Sequence, residues 1–396
     1  MNKAIYIYAS MALMLASCSS DETVELAKDK GISFRSIVGL NTRALNTTQD
    51  ILEGNGMYVT TFDKAGNLVY PETHYELSGG VWTATPAQSW GGNDCLSFFL
   101  TYPQLDEWQK GTNKVKLTED NKTVTVIVDE DIPQQKDYVA AYLKDAAKTQ
   151  QGAAVSASLQ HLLSSVEIWA KNDNKAFQYK VKGIRLNDVN READIDLSTF
   201  GFTHKMQIVN YELTYDTPVI LDGTEKSLMG TAGNAILIPQ DGQLMTAWDG
   251  TVTKDPPTGP DDYQNRIGTH ISVLINLTAT AGAVIYPAGS TADNETYGWV
   301  AVPVTFGWES GKKYVYTLDF SDGAGKVDPR DPGDDVDAGG QDPDKAQPVL
   351  GGLIKFGLTV TEWNNVRNDV DFKDNGGFSP TVDSWEDETT DDTILK

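Results

Sequence analysis

The sequence predicts an all-β fold, and three observations carry that prediction. Apolar and polar residues alternate with period two through runs such as MYVTTFD, CLSFFLTYP, TVTVIV and DYVAAYL. Gly, Pro, Asn and Asp separate these runs at spacings typical of β-sandwiches rather than of βαβ units. Only 158–169 and 203–213 suggest helices, and both run without caps into β-rich text, so they are read as strands.

The chain opens on what reads as an export signal. Lys3 supplies a positive start, and Ala4 to Ala16 form an apolar run too short to span a bilayer. Leu15-Ala16-Ser17 then leads into Cys18, an order that resembles the lipobox of bacterial lipoproteins. That resemblance implies cleavage before Cys18 and a lipid on its thiol. Since each buried CH2 contributes roughly 0.8 kcal/mol, three acyl chains would anchor the protein where one would not. Residues 1–17 are therefore expected to be a signal peptide, and 18–30, polar and without period, a tether.

Next comes GISFRSIVG, where Ile32, Phe34 and Val38 mark a short strand bounded by glycines. The polar segment LNTRALNTT follows and presents Arg43. An arginine among small polar residues suits a trypsin-like protease, although a plain surface arginine fits the same text. Further strands are expected in QYKVKGIRLNDV, MQIVNYELTY, NAILIPQ, HISVLINLTATAG, WVAVPVTF, KKYVYTLDF and LIKFGLTVTEW. They fall into two groups, at about 31–205 and 206–368. In the strand 95–102, Leu96, Phe98, Leu100 and Tyr102 should face a core, with the lone Cys95 on the opposite face as a packed side chain. Between 322 and 348 eight Asp stand among Gly and Pro, which reads as a mobile surface loop, and 369–396 reads as an acidic tail.

Composition narrows the function. A net charge of −24 repels phosphate backbones, so no nucleic-acid partner is expected. With Cys18 lipidated, Cys95 has no partner for a disulfide. No phosphate loop, His-x-x-x-His pair, paired-Cys motif or nucleophile elbow occurs, and His74, His161, His204 and His270 are scattered singly. Asp335, Asp337 and Asp342 lack the twelfth-position Glu of an EF-hand, since Ala346 stands there. Neither an enzyme, a metal site nor a cofactor is expected. Trp82, Trp90, Trp108 and Trp169 sit in strand-and-turn patterns where core packing is the commoner role.

Six phrases in order, SWGGNDCLSFFLTYP, IPQQKDYVAAYL, LQHLLSSVEI, AILIPQ, GWESGKKYVYTLDF and LTVTEWNNV, together resemble the fimbrillin family of type V pili, in its minor-fimbrillin-like branch. The resemblance implies two transthyretin-like Greek-key β-sandwich domains in series. It implies export as an outer-membrane lipoprotein through Cys18, and later residence at the cell surface in a fimbrium. It also implies that an arginine-specific protease cuts after Arg43, before Ala44, releasing the strand 32–38. Arg35 is the runner-up site, shielded by lying within the strand. The vacated groove would accept a strand from another pilus subunit, which satisfies exposed N–H and C=O groups and fills side-chain pockets. An acidic tail after Val366 fits a tip or accessory subunit better than a stalk subunit that donates its C-terminal strand. A stand-alone surface lipoprotein that binds glycan or host protein is the alternative reading.

Overall fold

The computed structural model describes residues 31–38, 49–108, 117, 122–148, 153–241, 247, 268–328 and 348–363. The signal peptide, Cys18, the tether, Arg43 and the tail 369–396 lie outside the described residues.

Period-two alternation does give strands. In chain order they are β1 (Ser33–Val38), β2 (Met57–Asp63), β3 (Leu68–Ser78), β4 (Val81–Ala84), β5 (Cys95–Tyr102), β6 (Thr123–Ile127), β7 (Val139–Ala147) and β8 (Val155–His161). They continue as β9 (Ser164–Lys171), β10 (Phe177–Asn190), β11 (Glu192–Asp196), β12 (Gly201–His204), β13 (Ile208–Ile220), β14 (Lys226–Ser227) and β15 (Ala235–Leu237). The last are β16 (His270–Ala279), β17 (Val284–Tyr286), β18 (Gly298–Pro303), β19 (Lys312–Asp319), β20 (Lys326–Val327) and β21 (Lys355–Glu362). One α-helix, α1 (Gln49–Asn55), is present among the described residues, and none there is long and apolar enough to cross a membrane. The two doubtful segments are strands: 158–169 is divided between β8 and β9, and 203–213 between β12 and β13.

Seven strands close on themselves in the order β1-β4-β3-β2-β5-β7-β8. Ile32, Phe34, Met57, Val59, Tyr75, Trp82, Trp90, Leu96, Phe98 and Leu100 fill this barrel. The remaining strands make a sheet ordered β13-β10-β16-β18-β20 with β17 beside β16, a sheet ordered β14-β9-β19-β21 with β15 beside β9, and a small sheet β12-β11-β6. Pairing partners change over between β8 and β9, and β6 lies outside the barrel although it precedes β7. Strands β9 and β10, which the sequence reading groups with the first 205 residues, thus share sheets with later strands, whereas β11 and β12 form a sheet with the earlier β6.

Strand β5 was expected to bury one face, and it buries both. Leu96, Phe98 and Leu100 enter the barrel, while Phe99 joins a second core with Trp108, Val124, Val126 and Val166. Strands β2 and β7 do the same, with Met57, Val59, Val139 and Ala141 on the barrel side and Phe62 and Ala140 on the other. The sheet β2-β5-β7 is therefore a wall between two cores. Cys95, at the start of β5, is half-buried and opposite Ala147.

The segment 322–348 is not surface loop throughout. Its first residues belong to the fold: Ala324, Val327 and Asp328 are buried, and β20 pairs with β18. Gly323 meets Gly351 in a β-bridge so close that a Cβ on Gly323 would lie 2.0 Å from the Gly352 carbonyl oxygen.

Candidate functional site

The barrel is closed by its first strand. β1 runs antiparallel to β4 through Ser33↔Thr83 and Phe34↔Trp82. Along its other side it runs parallel to β8, from Phe34↔Val155 to Val38↔Leu159. β7 reaches β8 only at Gln160 and His161. Among the described residues, Val155 to Leu159 therefore have β1 as their sole strand partner. A short N-terminal segment, connected to the rest through 39–48, supplies the ladder on which one barrel wall depends.

Two side chains of this segment are plugs. Ile32 and Phe34 are buried, whereas Arg35 points to solvent. The Phe34 ring meets Tyr75 edge-on at 5.3 Å and Phe98 at 5.1 Å between centroids, and Trp90 in turn meets Phe98 at 5.7 Å. Such edge-to-face pairs are favoured by the ring quadrupoles, at about 0.5–1.5 kcal/mol each beyond burial. The polar lip is ordered as well. The Ile32 N–H donates to the Gln88 carbonyl at 2.6 Å, the Tyr75 hydroxyl donates to Gln88 Oε1 at 2.9 Å, and Gln88 Nε2 donates to Thr73 Oγ1 at 2.7 Å. Burial pushes the Tyr75 hydroxyl well above the usual phenol range, which keeps it a donor.

Of the site residues read from sequence, Arg35 is in β1, and Cys18 and Arg43 lie outside the described residues. Arg35 is paired through its backbone with Ser156. A protease needs an extended, unpaired backbone, so this pairing shields the peptide bonds around Arg35. The four histidines do not converge. His74 contacts the Asn55 carbonyl, His161 bonds to Asp137 at 2.8 Å, His204 contacts the Pro239 carbonyl and His270 lies beside Asp328. Among the described residues no group of three or more His, Cys, Asp or Glu side chains is placed to hold a metal ion. Trp82, Trp90 and Trp108 are core residues, and half-buried Trp169 donates its indole N–H to Glu167.

Sequence reasoning finds the strand 32–38 but misses Gly31, Tyr75 and Gln88 as the frame that receives it. Local alternation marks a strand; it carries no information about a partner more than a hundred residues away, such as β8.

A fimbrillin-like family model matches residues 42–331. A search of curated proteins finds no match. Among solved structures, the chain is similar to a proposed cell adhesion protein of Bacteroides ovatus, with 14% identity over 86% of this chain and 99% of that one, and a TM-score of 0.44. A proposed cell adhesion protein of Parabacteroides distasonis aligns with 11% identity over the same 86% and 99%, at a TM-score of 0.45. A proposed adhesin of Bacteroides ovatus aligns with 11% identity over 74% of this chain and 88% of that one, at 0.33.

Proposed function

The chain belongs to the fimbrillin-like family, and from that premise we propose that it is a subunit of a type V pilus, structural or at the tip, that assembles by strand exchange after proteolysis. It is exported as a lipoprotein, held at the outer membrane through Cys18, and released from its own first strand by an arginine-specific protease acting after Arg43. It then resides at the cell surface in a fimbrium, joined to other subunits.

One observation carries this reading: β1 closes the barrel alone, bridging β4 and β8. Its departure would leave two strands with unpaired N–H and C=O groups and a slot lined by Tyr75, Trp82 and Phe98. Such a slot is what strand addition requires. The family match begins at residue 42, so β1 lies before the matched region and Arg43 falls at its start. We further read the two cores as the two transthyretin-like sandwiches, with pairing partners changing between Leu162 and Leu163 and the earlier β6 crossing over to pair with β11. The spatial order β5-β2-β3-β4 supports Greek-key connections in the first.

The experiment is incubation of the purified chain with and without trypsin-like cleavage, followed by electrophoresis in SDS without boiling. Ladders from the cut chain, alone or with co-expressed subunits, and none from the uncut chain are expected. A cut chain that stays monomeric with every subunit offered defeats the proposal.

A further inference from the structure

The slot that β1 occupies has one end that tolerates no side chain. A Cβ placed on Gly31 would lie 2.9 Å from the Ala87 Cβ and 2.9 Å from the Gln88 carbonyl oxygen. Both are well inside carbon contact distance, and neither belongs to a flexible side-chain end that could swing away. The obstruction also cannot shift freely. The Gln88 carbonyl receives the Ile32 N–H, and its side chain is held by Tyr75 and Thr73. The next position takes an aliphatic side chain, and the position two further on takes an aromatic ring between Tyr75 and Phe98.

We infer that this slot reads the sequence glycine, aliphatic, any residue, aromatic, and that its occupant after cleavage is an extended segment of a different polypeptide carrying that pattern, in the place and register of β1. The inference rests on the strand-exchange reading above and names its partner.

The segment that leads into β21 makes the selection visible. Residues 353–360, LIKFGLTV, repeat the apolar spacing of 31–38, GISFRSIV, with Ile354, Phe356 and Val360 where Ile32, Phe34 and Val38 stand. At the glycine position, however, that segment has Leu353. A second copy offering 353–360 would drive Leu353 into Ala87 and the Gln88 carbonyl. Ile354 is also buried where it stands, so its transfer would expose the second core. The slot therefore rejects self-donation by one residue while accepting the rest of the pattern.

Peptide exchange tests this. A protease recognition sequence inserted within 39–48 cuts the full chain independently of Arg43, and fluorescent peptides compete to replace the cut strand. The 31–38 peptide should exchange in. Its Arg35→Ala variant should match it within about twofold, Phe34→Ala should be weaker by about a hundredfold or more, and Gly31→Leu should not compete. The 353–360 peptide should fail, and its Leu353→Gly variant should compete. If Gly31→Leu or the unmodified 353–360 peptide competes as well as 31–38, the selection is wrong while strand release stands. If the 31–38 peptide itself never exchanges, strand release fails and the inference falls with it.

Discussion

The imidazole of His161 lies flat against the indole of Trp363, with ring centroids 4.3 Å apart and 22° between the planes. His161 ends β8 and also bonds to buried Asp137 just before β7, while Trp363 follows β21. Replacing His161 with Ala removes the stack and the imidazole partner of a buried carboxylate. A loss of about 2–4 kcal/mol in unfolding free energy is expected from urea titration. An unchanged midpoint would mean that this contact holds nothing together.

Phe34 fills the barrel between two rings, so Phe34→Ala should cost about 3–5 kcal/mol of stability in the uncut chain. Its neighbour Arg35 points to solvent, and Arg35→Ala should stay within about 0.5 kcal/mol. Equal midpoints for the two variants would contradict the packing described for β1.

Detergent-free fractionation of expressing cells reads the anchor. The intact chain should sediment with membranes and the Cys18→Ser variant should not. A variant that remains membrane-bound would remove the lipid assignment.

Arg43→Gln should leave the chain uncut by an arginine-specific protease, whereas Arg35→Gln should be cut as before. N-terminal sequencing of the processed chain should begin at Ala44. Any other first residue moves the release point.

Asp319 couples stability to pH. Burial raises its pKa, but hydrogen bonds from Ser321 and the nearby Lys171 ammonium outweigh this and hold the carboxyl below its ordinary 3.8. A lowered folded pKa contributes stability that is present above about 3.8 and is lost as pH falls through the folded value. Melting temperatures from pH 5 to 2 should thus fall more steeply for the unmodified chain than for Asp319→Asn, by a few degrees across that window. Parallel curves would show that the carboxylate contributes nothing.

How much could be read in advance depended on whether the signal was local. MYVTTFD is β2 to the residue, and CLSFFLTY is β5, because each run is rich in aromatic and β-branched residues and is followed by turn residues. Strand β3 was missed. Only Tyr75 of its eleven residues is fully buried, so it carries almost no alternation. The short helix α1 has one buried side chain described, Leu52, and no helical stripe to betray it. For the site, the alternation of Ile32 and Phe34 was visible, but the steric demand at Gly31 arises from Ala87 and Gln88, brought there by tertiary folding.

The wall β2-β5-β7 has a thermodynamic consequence for the molecule as a whole. Phe98 and Phe99 are consecutive residues whose rings lie in different cores, so melting either core strips a face from the strand that bounds the other. The two halves cannot come apart as independent beads on a string. Heat should disrupt them together, in one calorimetric transition whose van't Hoff and calorimetric enthalpies agree.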